Sequence, residues 1–167
     1  VYLWASAYQD FTGDNIPDII IEEWKSTGST ETASVAGLNG SDGFQLWEKS
    51  VTGDAGYVDL WYSISRDLTG DNLNDVIIET MRRSGSTETE SVTGLRGNDG
   101  YKLWEKSVTG DIGYTDLWYS AYEDFTGDSL PDVVIETTSR SYASETESVT
   151  GLNGSDGYKL WEKSVTG

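Results

Sequence analysis

Between residues 58 and 65, Val58, Leu60, Tyr62 and Ile64 alternate with Asp59, Trp61, Ser63 and Ser65. That period of two predicts a strand with one buried face. Residues 75–80 follow an acidic loop and centre on Val76-Ile77-Ile78, a short apolar run expected to be buried on both faces. Residues 86–95 alternate small and polar side chains and are rich in Thr, which predicts a third strand. Gly97-Asn98-Asp99-Gly100 is a turn signal, because these residues tolerate positive φ. Residues 101–108 then supply a fourth strand that packs through Tyr101, Leu103, Trp104 and Val108. No stretch keeps a helical period.

The same order of elements recurs every 57 residues: Trp4, Trp61 and Trp118 form one series, Trp47, Trp104 and Trp161 another. The chain is therefore counted in units before domains. The units are residues 1–57, 58–114 and 115–167; the first lacks a leading four-residue link, and the third stops before the next one. Val1 corresponds to Val58 and Gly167 to Gly110, so both ends are expected to be cut from a longer array. The predicted fold is all-β: tandem four-stranded antiparallel sheets of the propeller-blade type, in an incomplete ring, a ring closed by a second copy, or an open array.

Each unit carries Asp-x-Thr-Gly-Asp-x-x-x-Asp just before its apolar strand. Carboxylates at positions 1, 5 and 9, a hydroxyl at 3 and a carbonyl at 7 are hard oxygens of the kind calcium takes. The candidate ligands are Asp10, Thr12, Asp14, the carbonyl of Ile16, and Asp18 in the first loop. Asp67, Thr69, Asp71, Leu73 and Asp75 correspond in the second, and Asp124, Thr126, Asp128, Leu130 and Asp132 in the third. Gly13, Gly70 and Gly127 let the backbone curl, and Asn15, Asn72 and Ser129 stand at a second position expected to be left-handed. An EF-hand is excluded, since its position-12 Glu is Ile21, Ile78 or Ile135 here. The competing reading is an Asx-turn loop that satisfies its own backbone without an ion.

The net charge of −18 argues against nucleic acid as a partner, because phosphate binding needs clustered Lys and Arg. Three Ca²⁺ would bring it to −12. The absence of Cys and His removes thiolate and imidazole chemistry. No apolar run approaches the roughly 18 residues of a membrane span.

With these residues in view, Asp-Phe-Thr-Gly-Asp-x-x-Pro-Asp followed by Ile-Ile-Ile or Val-Val-Ile resembles the FG-GAP/VCBS-type repeat of integrin α-subunit propellers and microbial surface proteins. The second half of each unit, as in residues 151–162, is similar to the Asp-Gly-x-x-Leu-Trp motif of quinoprotein-like propellers. The resemblance implies a β-propeller with calcium in a loop between the first two strands of a blade. In this chain Asn or Ser stands where the family usually has Gly after the position-5 acid, and Thr replaces the commoner Asp or Asn at position 3.

The expected role is a non-enzymatic, extracellular or cell-surface structural or adhesive repeat, able to assemble into a filament or lattice. Its expected partners are further copies of itself, missing blades of a parent chain, or a surface glycan or protein. A carbohydrate- or ligand-binding module is the alternative, and a carboxylate-only polysaccharide-active enzyme the third reading. Both tryptophan series are expected in the core, Trp24 at an exposed contact surface, and Glu88/Glu90 and Glu145/Glu147 on a solvated strand face. Asn39 and Asn153 head glycosylation sequons at the same turn.

Overall fold

The computed structural model describes residues 1–64, 66–113, 115–120, 123–141 and 144–167, without the side chains of 6–8, 64 and 141. Ser65 of the first predicted strand and Tyr114 of the second link thus lie outside the described residues. The described chain is all-β. The first sheet holds β1 (Tyr2–Gln9), β2 (Asp18–Thr27), β3 (Thr30–Leu38) and β4 (Gln45–Asp54). The second holds β5 (Val58–Ile64), β6 (Val76–Ser84), β7 (Thr87–Leu95) and β8 (Lys102–Asp111). The third holds β9 (Thr115–Ser120), β10 (Val133–Ser141), β11 (Ser144–Leu152) and β12 (Lys159–Thr166). Each is an antiparallel meander in sequence order, and the three do not close into a barrel.

Registers repeat from sheet to sheet. Glu22, Glu79 and Glu136 each face the tryptophan of the first strand, Trp4, Trp61 and Trp118. A bulge follows Gly37, Gly94 and Gly151, at the approach to the turn into the fourth strand. A Cβ on any of these three glycines would stand within 2.5 Å of the indole of Trp47, Trp104 or Trp161. Glycine there lets the indole lie flat on its neighbouring strand.

Consecutive sheets pack face to face with an offset of two strands. β5 and β6 pack on β3 and β4, and β9 and β10 on β7 and β8. The link explains the offset. From Asp54 to Val58 there are four Cα steps, which reach at most about 14 Å. Sheets stack about 10 Å apart, and strands lie about 4.8 Å apart within them. Placing β5 over β3 needs a span of about 11 Å, whereas placing it over β1 would need about 17 Å. The short link permits only the first.

Two cores result, one per junction. Phe11, Ile20, Val35 and Trp47 of the first sheet meet Val58, Leu60, Val76, Ile78 and Leu95 of the second. Leu68, Ile77, Val92 and Trp104 of the second meet Leu117, Val133, Ile135 and Leu152 of the third.

Candidate functional site

The acidic loops lie between the first and second strands of each sheet and share one geometry. Gly13, Gly70 and Gly127 adopt φ of 79°, 84° and 81°, while Asn15, Asn72 and Ser129 adopt 65°, 67° and 71°. Two left-handed residues so close together wind the backbone around the position-1 carboxylate. Asp10 accepts hydrogen bonds from the amides of Gly13 (2.6 Å), Asp14 (3.2 Å) and Asn15 (2.8 Å). Asp67 takes those of Gly70, Asp71 and Asn72, and Asp124 those of Gly127 and Ser129. The Thr12 hydroxyl turns toward Asp10 at 3.5 Å, and Thr69 and Thr126 repeat that contact. Asp14, Asp71 and Asp128 accept from the amides of Ile16, Leu73 and Leu130 at 2.8–2.9 Å.

The position-9 aspartates have a different task. Asp18, Asp75 and Asp132 are fully buried. Asp18 accepts from Phe11 (2.7 Å) and Thr12 (3.0 Å) within the loop, and from Gly40 (2.9 Å) in the turn between β3 and β4. Asp75 joins Leu68 to Gly97, and Asp132 joins Phe125 to Gly154. One side chain thus clasps the acidic loop to the opposite turn. Only glycine fits there, since a Cβ on Gly40 would stand 1.9 Å from the Pro17 carbonyl oxygen. Burial pushes Asp75 up to about 6 against the pull of the Gly97 and Leu68 amides, with Asp71 and Asp67 adding to the rise.

As donors, these oxygens suit calcium. As placed, they point mainly at backbone N–H groups, and among the described residues no three carboxylates gather into a metal-holding group. Amide-to-carboxylate bonds hold the loop conformation. Asp10, Thr12 and Asp14 lie in the more accessible half of the loop, and Asp18 in its buried half.

The loops also stack. Leu73 lies 3.3 Å from the Cβ position of Gly13, and Leu130 lies 3.5 Å from that of Gly70. Asn74 donates to Gln9 at 3.0 Å. Asn39 and Asn153 close their own turns by accepting from Ser41 and Ser155, and Asn153 also donates to Asp128.

Three expectations are overturned. Trp47 and Trp104 are core residues at 6% and 5% exposure, but Trp4, Trp61 and Trp118 stand at 66%, 54% and 65%. Their strand positions face the uncovered half that the offset leaves on each sheet. Trp24 packs against the first core instead of forming an exposed contact. Glu88 is buried, not solvated: it binds Arg83 (2.6 Å), the Thr115 hydroxyl (2.9 Å) and the Gly113 amide (3.2 Å). Burial pushes its carboxyl up, but those partners outweigh it and hold it below the ordinary glutamate range. Glu90 accepts from the Leu117 amide at 2.7 Å. Both glutamates therefore bridge the second sheet to β9. The sequence signal that sets Glu90 apart is Ala33 at its place in the first unit, whereas Glu31 stands at the place of Glu88.

No protein-family model matches this chain, and no curated protein matches it.

Proposed function

We propose that the chain is a segment of a non-enzymatic, extracellular structural or adhesive array that extends by adding sheets of its own kind, with one Ca²⁺ taken by the exposed half of each acidic loop. The observation that carries this reading is the correspondence between the outer faces of the chain and its internal junctions. Trp47 donates its indole N–H to the Gly97 carbonyl of the next sheet, and Trp104 does the same to Gly154, each at 2.7 Å. Trp161, the third of the series, is 42% exposed, and Phe125 is exposed where Phe11 and Leu68 are buried. At the other face Val1 and Leu3 are exposed, whereas their counterparts Val58 and Leu60 are core.

One face thus offers the donor half of a junction and the other the acceptor half. Such a pair is heterologous, and repeated it generates an open array unless the rotation per step closes it into a ring. A further copy is the natural occupant, with Trp161 seated on its Gly40–Gly43 turn. The enzymatic reading has little support, since Glu88 is tied into an ion pair and the loop acids into backbone bonds.

Light scattering after size exclusion tests the array. The chain should show a mass that grows with concentration, and Trp161→Ala should abolish that growth. A monodisperse monomer at millimolar chain, unchanged by Trp161→Ala, would sink the reading. For calcium, isothermal titration should return about one ion per loop, with a rise in melting temperature on adding Ca²⁺ that EGTA reverses. No heat and no shift would remove calcium and leave the array reading standing.

A further inference from the structure

Beside the core the two internal junctions differ in one cross-strand pair, and the cleft next to that pair differs in size and charge. In the first sheet Trp24 lies directly across from Ala33, a large residue over a small one, and Trp24 is partly buried against the core. In the second sheet the same cross-strand pair is Met81 and Glu90. At the first junction Tyr2, Trp4, Glu22 and Trp24 line a cleft of about 380 Å³; at the second the corresponding cleft is about 490 Å³, within the range of small-ligand sites. One wall is Trp61, Glu79, Met81 and Glu90 from the second sheet; the other is Asp116 and Trp118 from β9. The offset of the sheets keeps both tryptophans accessible.

The lining is aromatic and acidic, with no Lys or Arg in it. Glu79 has no hydrogen-bond or ion-pair partner among the described residues, and burial raises its pKa. Glu90 spends one oxygen on the Leu117 amide. A half-buried glutamate where the preceding junction has alanine is a poor choice for stability, because its charge is desolvated without a cation to meet it. Groups kept at such a disadvantage in a cleft are candidates for binding.

We propose that this cleft binds an organic cation of the alkylammonium class, with its methyl or methylene groups against Trp61 and Trp118 and its charge met by Glu79, Glu90 and Asp116. Indole faces attract such cations through their quadrupole, and carboxylates add a Coulombic term that an uncharged sugar would not exploit. The inference is independent of whether the chain forms an array. Burial pushes Glu90 up to about 7 against the Leu117 amide, with Asp116 and Glu88 adding to the rise. Glu79 on β6 and Thr115 on β9 are the other groups facing it. Binding is therefore stronger above that pH, where Glu90 is ionised, than below it.

Choline is the probe, titrated into the 167-residue chain and followed by tryptophan fluorescence and calorimetry, with 3,3-dimethylbutan-1-ol as uncharged isostere and maltose as sugar. Choline should saturate and bind at least about tenfold more tightly than the isostere, and it should weaken severalfold between about pH 8 and about pH 5.5. The double variant Met81→Trp/Glu90→Ala rebuilds the first junction in the second. It should lose choline binding by about tenfold or more while melting no lower than the parent. Trp118→Ala, at an exposed position, should lose binding without unfolding. Choline binding no better than the isostere, saturation by maltose alone, or unchanged affinity in both variants would overturn the assignment.

Discussion

Trp104 and Trp61 have the same side chain and the same 57-residue recurrence, yet one is core and the other faces solvent. Trp104 sits on the fourth strand, over which the next sheet's first two strands and the turn at Gly154 close. Trp61 sits on the first strand, from which that next sheet is displaced by two strands. The contrast teaches that a repeat period reports which positions are equivalent, not which are covered. Coverage is decided by how successive units are shifted, and here a four-residue link decides the shift.

The widest gap should appear on truncating each tryptophan. Trp104→Ala removes a buried indole and its bond to Gly154, and should lose about 3–5 kcal/mol in a urea titration. Trp61→Ala should stay within about 0.5 kcal/mol, as surface changes do. Equal losses would mean that the sheets are not offset. Next comes the glycine on which the buried indole rests. Gly100 has φ of 66°, and a Cβ there would stand 2.3 Å from the Cβ of Trp47. Gly56 has φ of 80° with nothing within 4 Å of its Cβ position. Gly56→Ala should therefore cost only the left-handed term of about 1–2 kcal/mol, and Gly100→Ala clearly more.

Much of this was legible in the chain. The alternation of residues 58–64 and the apolar run after each acidic loop predict strands that the structure contains, in the expected order and number per unit. The left-handed positions were readable too: Asn15, Asn72 and Ser129 stand where the loop must curl, and all three have positive φ. The task of Asp18, Asp75 and Asp132 was not readable, because their partners Gly40, Gly97 and Gly154 lie 22 residues away across a hairpin. Nor was the fate of Glu88, whose alternating, Thr-rich strand looks solvated until β9 is laid on it. The offset itself was within reach, since the link from Asp54 to Val58 cannot span a sheet. Counting the repeat leaves that length unused; measuring the link against strand and sheet spacing supplies it.

The bridging glutamates extend the comparison to covered and uncovered ends. Glu88 is closed in by the third sheet, whereas its counterpart Glu145 pairs with Arg140 on an open face. Glu88→Ala strands Arg83 and the Thr115 hydroxyl and should cost about 1–3 kcal/mol. Glu145→Ala, at an exposed pair, should stay under about 1 kcal/mol. Thermal melts of the two variants against the parent make the comparison, and it collapses if Glu145→Ala is the more damaging.

The smallest effect is also the most specific to the second junction. Burial raises Glu90 in the folded chain to about 7, from the 4.5 of a free glutamate. The folded state therefore holds its proton more tightly than the unfolded state between those values. The stability tied to that proton is complete below about pH 4.5 and is lost as pH rises through about 7. Glu90→Gln, which cannot titrate, should flatten this part of the pH dependence, leaving the fall due to Asp75, Glu79 and Asp59, whose carboxyls burial also raises. Ala33, at the same place in the first junction, contributes no such slope. Grafting it as Glu90→Ala should stabilise the chain at pH 8 more than at pH 5, because only the ionised carboxylate is at a disadvantage there. An equal change at both pH values would mean that Glu90 is solvated, and that the two junctions are electrostatically alike.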